Sequence, residues 1–142
     1  MHRSIMLAVV AVVAWASSMG LDRGIAVPVV RAGSWRVEQT INGKTVPAHA
    51  FCLRAEPVVR PPDDYRCAPE TVARQEDGAL VIKRTCAADG GKRTAEQHAV
   101  FRGDPNRRFT VDGRVTMRER GRLLPLVLDG HSSYRYLGVC AR

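Results

Sequence analysis

Several strings that mark common enzyme classes are missing from this chain of 142 residues. There is no Gly-x-x-x-x-Gly-Lys phosphate-binding loop and no His-Glu-x-x-His zinc-binding string. The histidines His49, His98 and His131 stand singly, without metal-ligand spacing. None of the four cysteines belongs to a Cys-x-x-Cys pair, so the usual zinc and thioredoxin-like sites lack their spacing. We therefore predict no cofactor, no metal ion and no catalytic residue.

One segment partly matches a catalytic motif. Residues 130–134, Gly-His-Ser-Ser-Tyr, begin like the Gly-x-Ser-x-Gly nucleophile elbow, but Tyr134 occupies the position of the final glycine. The elbow needs a small residue there because the chain turns sharply from a strand into a helix. A strand is predicted to follow instead, so we interpret His131 and the serines as turn residues. An enzyme that uses His131, Ser132 or His98 remains the alternative.

Lysine is also scarce, since nineteen of the 22 basic residues are arginine, and the net charge is +8. A basic balance favours anionic partners. Arg114 and Arg118 lie on the polar face of a predicted strand, and Arg120 and Arg122 follow in the next turn. These four form a candidate face for an acidic glycan, a lipid headgroup or a protein, unless they only solvate an open sheet. No aromatic residues alternate with them to stack on bases, which argues against nucleic acid.

The N-terminus predicts export. An apolar run at residues 5–14 follows the basic start Met1-His2-Arg3, and Ala14-Trp15-Ala16 has the small-x-small pattern that signal peptidase prefers. Residues 4–16 are too few for a bilayer-spanning helix, which needs about 20. We predict a signal peptide over residues 1–16, cleavage between 16 and 26, and a single mature domain over residues 27–142. The alternative is an uncleaved anchor that extends through residues 19–30.

The mature region predicts an all-β fold, an antiparallel meander of about six to eight strands that forms a curled sheet or small barrel. Residues 109–118 are the clearest strand, because Phe109 and Val111 alternate with polar residues, although Gly113 suggests a bulge or a close backbone approach. Asn42-Gly43 predicts a hairpin turn. The prolines predict a loop at residues 56–64 and, through Pro125, an edge or bent strand at residues 123–128.

Cys52, Cys67, Cys86 and Cys140 all lie in the predicted mature part, and in an oxidising compartment they predict two disulfides. Four cysteines allow three pairings. A hairpin centred between Glu76 and Asp77 places Cys67 directly opposite Cys86, which leaves Cys52 for Cys140. A register shift of one residue would separate the first pair. In a reducing cytosol the four would be buried thiols instead.

The order of these features resembles a family of exported bacterial proteins, domain of unknown function 3617. The matching residues are Gly33-Ser34-Trp35, Cys52-Leu53, the hairpin from Cys67 to Cys86, the stretch 103–113 and Gly138-Val139-Cys140. The resemblance covers about residues 31–142. It supports the fold and the compartment and implies no activity.

Taken together, the sequence predicts an exported, periplasmic or secreted β protein that acts as a non-catalytic binding or envelope-associated module. Its expected partner is an anionic envelope component or another envelope protein, and no stable membrane span is expected after processing. The alternatives are a hydrolase-like enzyme whose site the sequence does not reveal and a purely structural envelope protein. An open cavity in the structure would favour ligand binding.

Overall fold

The computed structural model describes residues 24–142, so the predicted signal peptide lies outside the described residues. These residues form ten strands: β1 (Val29–Val30), β2 (Gly33–Ile41), β3 (Lys44–Leu53), β4 (Glu56–Pro57), β5 (Arg66–Cys67), β6 (Thr71–Arg74), β7 (Leu80–Ala88), β8 (Arg93–Asp104), β9 (Arg108–Glu119) and β10 (Leu126–Gly138). A short 3₁₀ turn, Asp89–Gly91, joins β7 to β8. Residues 24–142 contain no helix that is long and apolar enough to cross a bilayer.

Eight of the strands form one antiparallel sheet, which confirms the all-β prediction. Their order is β3-β2-β10-β9-β8-β7-β5, with β6 also paired to β7, while β1 and β4 pair separately. Strands β7 to β10 follow one another as a meander, and β10 then pairs with β2, so the last strand lies in the middle of the sheet. The two edges do not pair with each other, so the sheet is open and not a barrel.

One face of the sheet carries the hydrophobic core because apolar and polar residues alternate along the strands. On β7, Leu80 and Ile82 are buried on the core face, whereas the next residue, Lys83, points to the opposite face and is exposed. Trp35 and Phe109 are fully buried on the same core face. Val30 in β1 and Val59 after β4 pack against them, so the segments around the small β1–β4 pair cover the core.

The strand predicted at residues 109–118 is β9, with Phe109 buried as expected. The suggested irregularity at Gly113 is not there, because the register is continuous through Gly113, which lies opposite Ala99 on one side and Gly130 on the other. A Cβ atom at Gly113 would come no closer than 4.0 Å to its nearest neighbour, the His98 carbonyl oxygen. The glycine therefore marks neither a bulge nor a close approach.

The proline predictions need correction at two points. Glu56 and Pro57 do not belong to a loop but form β4, which pairs with β1. Pro125 precedes the strand rather than bending it, since β10 begins at Leu126 and pairs with β2 from Gly130 onwards. Proline is tolerated at both places because one is a two-residue edge strand and the other a turn.

The hairpin turns explain the disulfide register. Asn42 and Gly43 have positive φ values of 48° and 77°, as a two-residue hairpin turn requires. The turn before β7 is centred on Asp77 rather than between Glu76 and Asp77, which shifts the register of β6 by one residue, because Arg74 lies opposite Leu80 and Thr71 opposite Lys83. One extra residue within 68–70 compensates for this shift, so Cys67 still lies directly opposite Cys86.

Both disulfides are present with the predicted partners. Cys67 and Cys86 join β5 to β7 with a Cα–Cα distance of 4.0 Å, and Cys52 and Cys140 join β3 to the C-terminal segment at 5.6 Å. The second bridge ties an edge strand to the residues that follow the central strand β10, and therefore holds that side of the open sheet together.

Candidate ligand-binding groove

The face of the sheet opposite the core carries two rows of side chains, all of them polar except Val100. In the first row, successive strands from β7 to β10 place Lys83, His98, Arg114 and Asp129 side by side. In the second row, β8, β9, β10 and β2 place Val100, Asp112, His131 and Thr40 side by side. Facing residues on antiparallel neighbours have Cβ atoms about 5 Å apart, so side chains in each row contact one another.

Two charged contacts orient the side chains in these rows. Arg114 donates two hydrogen bonds to the Asp129 carboxylate, from Nε at 2.7 Å and from Nη2 at 3.1 Å. His131 Nδ1 lies 2.6 Å from Asp112 Oδ1. The hydrogen bonds from Arg114 lower the pKa of Asp129, and the same contact raises the pKa of Arg114. All four side chains are at least half exposed, so these contacts contribute orientation more than stability.

The two rows line an open groove of about 930 Å³. Other residues that line the groove include Thr71 and Thr85 from β6 and β7 and Glu96 and Thr116 from β8 and β9. Among the residues that the structure describes, no aromatic side chain, serine or cysteine lines this groove. The groove therefore offers hydrogen-bond donors, acceptors and charges of both signs on a rigid sheet.

The structure separates the residues of the hydrolase alternative. His98 and His131 line the same groove. Ser132 points to the opposite face, because neighbouring residues in a strand alternate, and there its Oγ accepts a hydrogen bond from Gln39 Nε2 at 3.3 Å. Across residues 24–142, no three His, Cys, Asp or Glu side chains form a cluster of the kind that binds a metal ion.

The four arginines of the candidate anionic-partner face do not form one site. Arg114 lies in the groove and pairs with Asp129. Arg118, Arg120 and Arg122 instead line a smaller pocket of about 390 Å³ at the turn between β9 and β10. Arg114 and Arg118 share a face of β9, but they are four positions apart along the strand, which separates their Cα atoms by about 13 Å.

Sequence reasoning did not identify Lys83, Asp112 or Asp129 as groove residues. The alternation along β9 placed Asp112 and Arg114 on one face, so the sequence could have indicated that both lie on the same surface. The partners of these residues depend on the register between β9 and β10, in which Asp112 faces His131 and Arg114 faces Asp129. The turn between these strands includes residues 120–125, and its length alone does not specify that register.

These features define a small all-β protein with an open antiparallel sheet, two disulfides and a polar groove. The family model described as "Protein of unknown function (DUF3617)" matches residues 30–140, and the chain belongs to this family. The match confirms the resemblance drawn from the Gly-x-Trp, cysteine and Gly-x-Cys positions. A search of curated proteins and a search of solved structures found no match.

Proposed function

We propose that the protein is exported to the periplasm or secreted and acts there as a non-catalytic binding module, with its ligand site in the polar groove. The observation that carries this proposal is the open groove of about 930 Å³ across the face opposite the core. Binding sites are concave and combine a shaped wall with a few placed polar groups. The side chains of this groove lie on paired strands, so little order needs to be gained when a ligand binds.

The charges that lack partners indicate the class of ligand. Within residues 24–142, neither Lys83 nor Glu96 has an ion-pair partner within 4.0 Å, whereas Arg114 and Asp112 have partners. Lys83 and Glu96 lie on the same face of neighbouring strands, two register positions apart, because Lys83 faces His98 and Glu96 faces Thr85. One cation and one anion that close together suit a ligand that carries a carboxylate and an ammonium group, such as a short peptide.

A titration with alanyl-alanine, followed by ¹H–¹⁵N chemical shifts, tests this proposal. The free dipeptide is expected to shift amide signals of β7 to β10, and its N-acetyl amide, which has no charge, is expected to bind at least tenfold more weakly. Lys83→Met and Glu96→Gln should each weaken binding about tenfold, since a hydrogen bond to a charged group contributes about 1.5–3 kcal/mol. Lys92→Met, outside the groove, is the control. Absence of shifts in the groove would contradict the proposal and leave a purely structural role.

One observation supports export, and a second limits where the signal peptide is cleaved. Both disulfides require an oxidising compartment to form and persist. Ile25 and Val27 pack against the core cluster, so the folded domain extends back past the predicted boundary at residue 27. Cleavage after residue 16 would keep both side chains in the mature domain, whereas cleavage at residue 26 would remove Ile25.

A hydrolytic function is the second candidate, because the contact between His131 and Asp112 resembles the way a carboxylate orients a catalytic imidazole. The same titration distinguishes the two functions. A binding module leaves the dipeptide intact. Cleavage that is lost in both His131→Asn and Asp112→Asn would replace the binding proposal with the enzymatic one.

A further inference from the structure

The turn between β9 and β10 exposes two adjacent leucines almost completely. Leu123 is 98% exposed and Leu124 is 82% exposed. Single exposed apolar residues are common, but a contiguous apolar patch marks an interaction surface. We call residues 119–127 the β9–β10 tip. It lies outside the groove described above, since the groove lining contains no residue of this range.

The apolar surface continues on both sides of this tip. Leu126 is 57% exposed and shares the core face with Met117, whereas the next residue, Val127, is 38% exposed and faces the other way. The end of the hairpin therefore exposes apolar side chains on both faces of the sheet. A flat protein partner would cover one side only, whereas a bilayer surrounds an inserted tip on every side.

Basic side chains gather directly beside the leucines. Lys92, Arg118, Arg120 and Arg122 line one pocket of about 390 Å³ together with Leu123 and Leu124. Glu119 is the one acidic residue in that lining, and it pairs with Arg122 at 3.0 Å. For Lys92, Arg118 and Arg120, the described part of the chain provides no ion-pair partner within 4.0 Å. Four cations against one carboxylate give the pocket a net charge of +3.

We propose that the β9–β10 tip docks the protein on an anionic phospholipid bilayer. Leu123 and Leu124 enter the boundary between headgroups and acyl chains, and Arg118, Arg120 and Lys92 bind lipid phosphates from the pocket beside them. This arrangement of an apolar insertion element flanked by cations is what interfacial membrane binding requires, because apolar burial and attraction to anionic lipid add together. The proposal does not depend on the groove or its ligand.

Vesicle sedimentation tests the proposal with the processed protein recovered after secretion. Wild-type protein is expected to bind vesicles of phosphatidylcholine mixed with phosphatidylglycerol at least tenfold more tightly than pure phosphatidylcholine vesicles. Leu123→Ser/Leu124→Ser is expected to weaken binding at least tenfold, and Val139→Ser, an 86% exposed residue in the C-terminal segment, is the apolar control. Free glycerol phosphate is expected not to compete at concentrations at which the vesicles bind.

Two double variants, each of which removes two arginines, test the contribution of the basic side chains to vesicle binding. Arg118→Gln/Arg120→Gln is expected to weaken binding about 25-fold, because each basic residue near an anionic surface contributes about a fivefold factor. Arg108→Gln/Arg135→Gln removes the same charge from two exposed arginines paired at the other end of β9 and β10, and should have little effect. Equal losses of vesicle binding in both double variants would show that binding depends only on the net charge of the protein, and would overturn the proposal.

A tryptophan placed at the tip reports insertion at that site, whatever the N-terminus of the protein contributes to vesicle binding. Leu124→Trp should shift its emission to the blue on anionic vesicles, whereas Val139→Trp should not, and the buried Trp35 contributes the same background to both. Unchanged emission of Leu124→Trp would overturn the proposal. So would a dimer, detected by sedimentation equilibrium without lipid, that Leu123→Ser/Leu124→Ser dissociates, because the leucines would then be an interface between two copies.

Discussion

Gly33 shows how one residue permits the packing around Trp35. A Cβ atom at Gly33 would lie 2.5 Å from the Tyr136 ring and 2.6 Å from the Gly138 carbonyl oxygen. The φ of Gly33 is +146°. The space it leaves lets Tyr136 pack edge-on against Trp35, with ring centroids 5.3 Å apart. Trp35 also donates a hydrogen bond from Nε1 to the Arg31 carbonyl oxygen at 2.8 Å. The Gly-x-Trp spacing therefore has a packing reason.

Gly33→Ala is expected to lower the free energy of unfolding by about 3 kcal/mol, since it adds a side chain at a positive φ and overfills the space below Tyr136. Gly43→Ala is the matched control, because Gly43 also has a positive φ but has no atom within 4 Å of a built Cβ. Its expected cost is about 1 kcal/mol. Chemical denaturation measures both, and equal costs would contradict the role of the close approach.

The pKa of Asp129 reports whether Arg114 contacts it in the groove. Because Arg114 donates to Asp129, the folded-state pKa of Asp129 lies below its ordinary value. A lowered carboxyl pKa stabilises the fold above the unfolded-state pKa, and this contribution is lost as the pH falls through the folded-state pKa. Arg114→Gln is expected to raise the pKa of Asp129, measured by ¹³C NMR of its carboxyl carbon. Arg108→Gln should leave it unchanged, and a similar rise in both variants would argue against the direct contact.

At the scale of elements, the hairpin formed by β6 and β7 has two irregularities that cancel. Its turn is centred on Asp77 rather than between Glu76 and Asp77. The resulting one-residue shift in register would by itself turn Cys67 away from Cys86, because such a shift moves a side chain to the other face. The extra residue within 68–70 restores the register before Cys67. The Ala68 amide still donates to the Thr85 carbonyl oxygen at 2.9 Å, so β5 and β7 stay joined beside this irregularity.

The two disulfides are expected to differ in their contributions to stability. Cys52–Cys140 spans 88 positions and Cys67–Cys86 spans 19. On the chain-entropy model these loops correspond to about 4.6 and about 3.2 kcal/mol. Cys52→Ser/Cys140→Ser should therefore lower the free energy of unfolding more than Cys67→Ser/Cys86→Ser, as measured by urea denaturation. The opposite order would show that residual structure in the unfolded state already restrains the longer loop.

At the scale of the whole molecule, the open sheet buries its core without closing into a barrel because other chain segments cover one face. Arg84 contributes to this cover, although it is a charged residue with only 6% exposure. It donates to Gln97 Oε1 at 2.8 Å, and Gln97 Nε2 donates to the Arg60 carbonyl oxygen at 2.8 Å. These bonds fasten the loop after β4 over the core, and Glu70, whose Oε2 lies 3.8 Å from Arg84 Nη2, gives the guanidinium an opposite charge that lowers the cost of burying it.

Export predicts the N-terminus of the mature protein. Because Ile25 and Val27 pack against the core, we expect cleavage after residue 16 or at a site between there and residue 24. Intact mass spectrometry of the protein secreted by a bacterial host checks this, together with the loss of four hydrogens that two disulfides imply. A membrane-bound protein that retains Met1 would contradict the export proposal and favour the anchor.

Local features of the sequence determined much of this protein. Alternation specified β9, Asn42-Gly43 specified a turn that needs positive φ, and the cysteines predicted the two bridges. These signals are readable because backbone conformation and side-chain direction depend on residues that are adjacent in the chain. The predicted turn centre between Glu76 and Asp77 gave a β6 register that was wrong by one residue, because several turn centres satisfy the same turn chemistry.

The tertiary structure decided which distant residues meet. Only the insertion of β10 between β2 and β9 places His131 beside Asp112, Asp129 beside Arg114 and Ser132 on the opposite face. The same registry divides the predicted arginine face between the groove and the pocket beside the β9–β10 tip. Pairing between strands far apart in the chain is selected by the packing of the whole core, and no short stretch of residues encodes it.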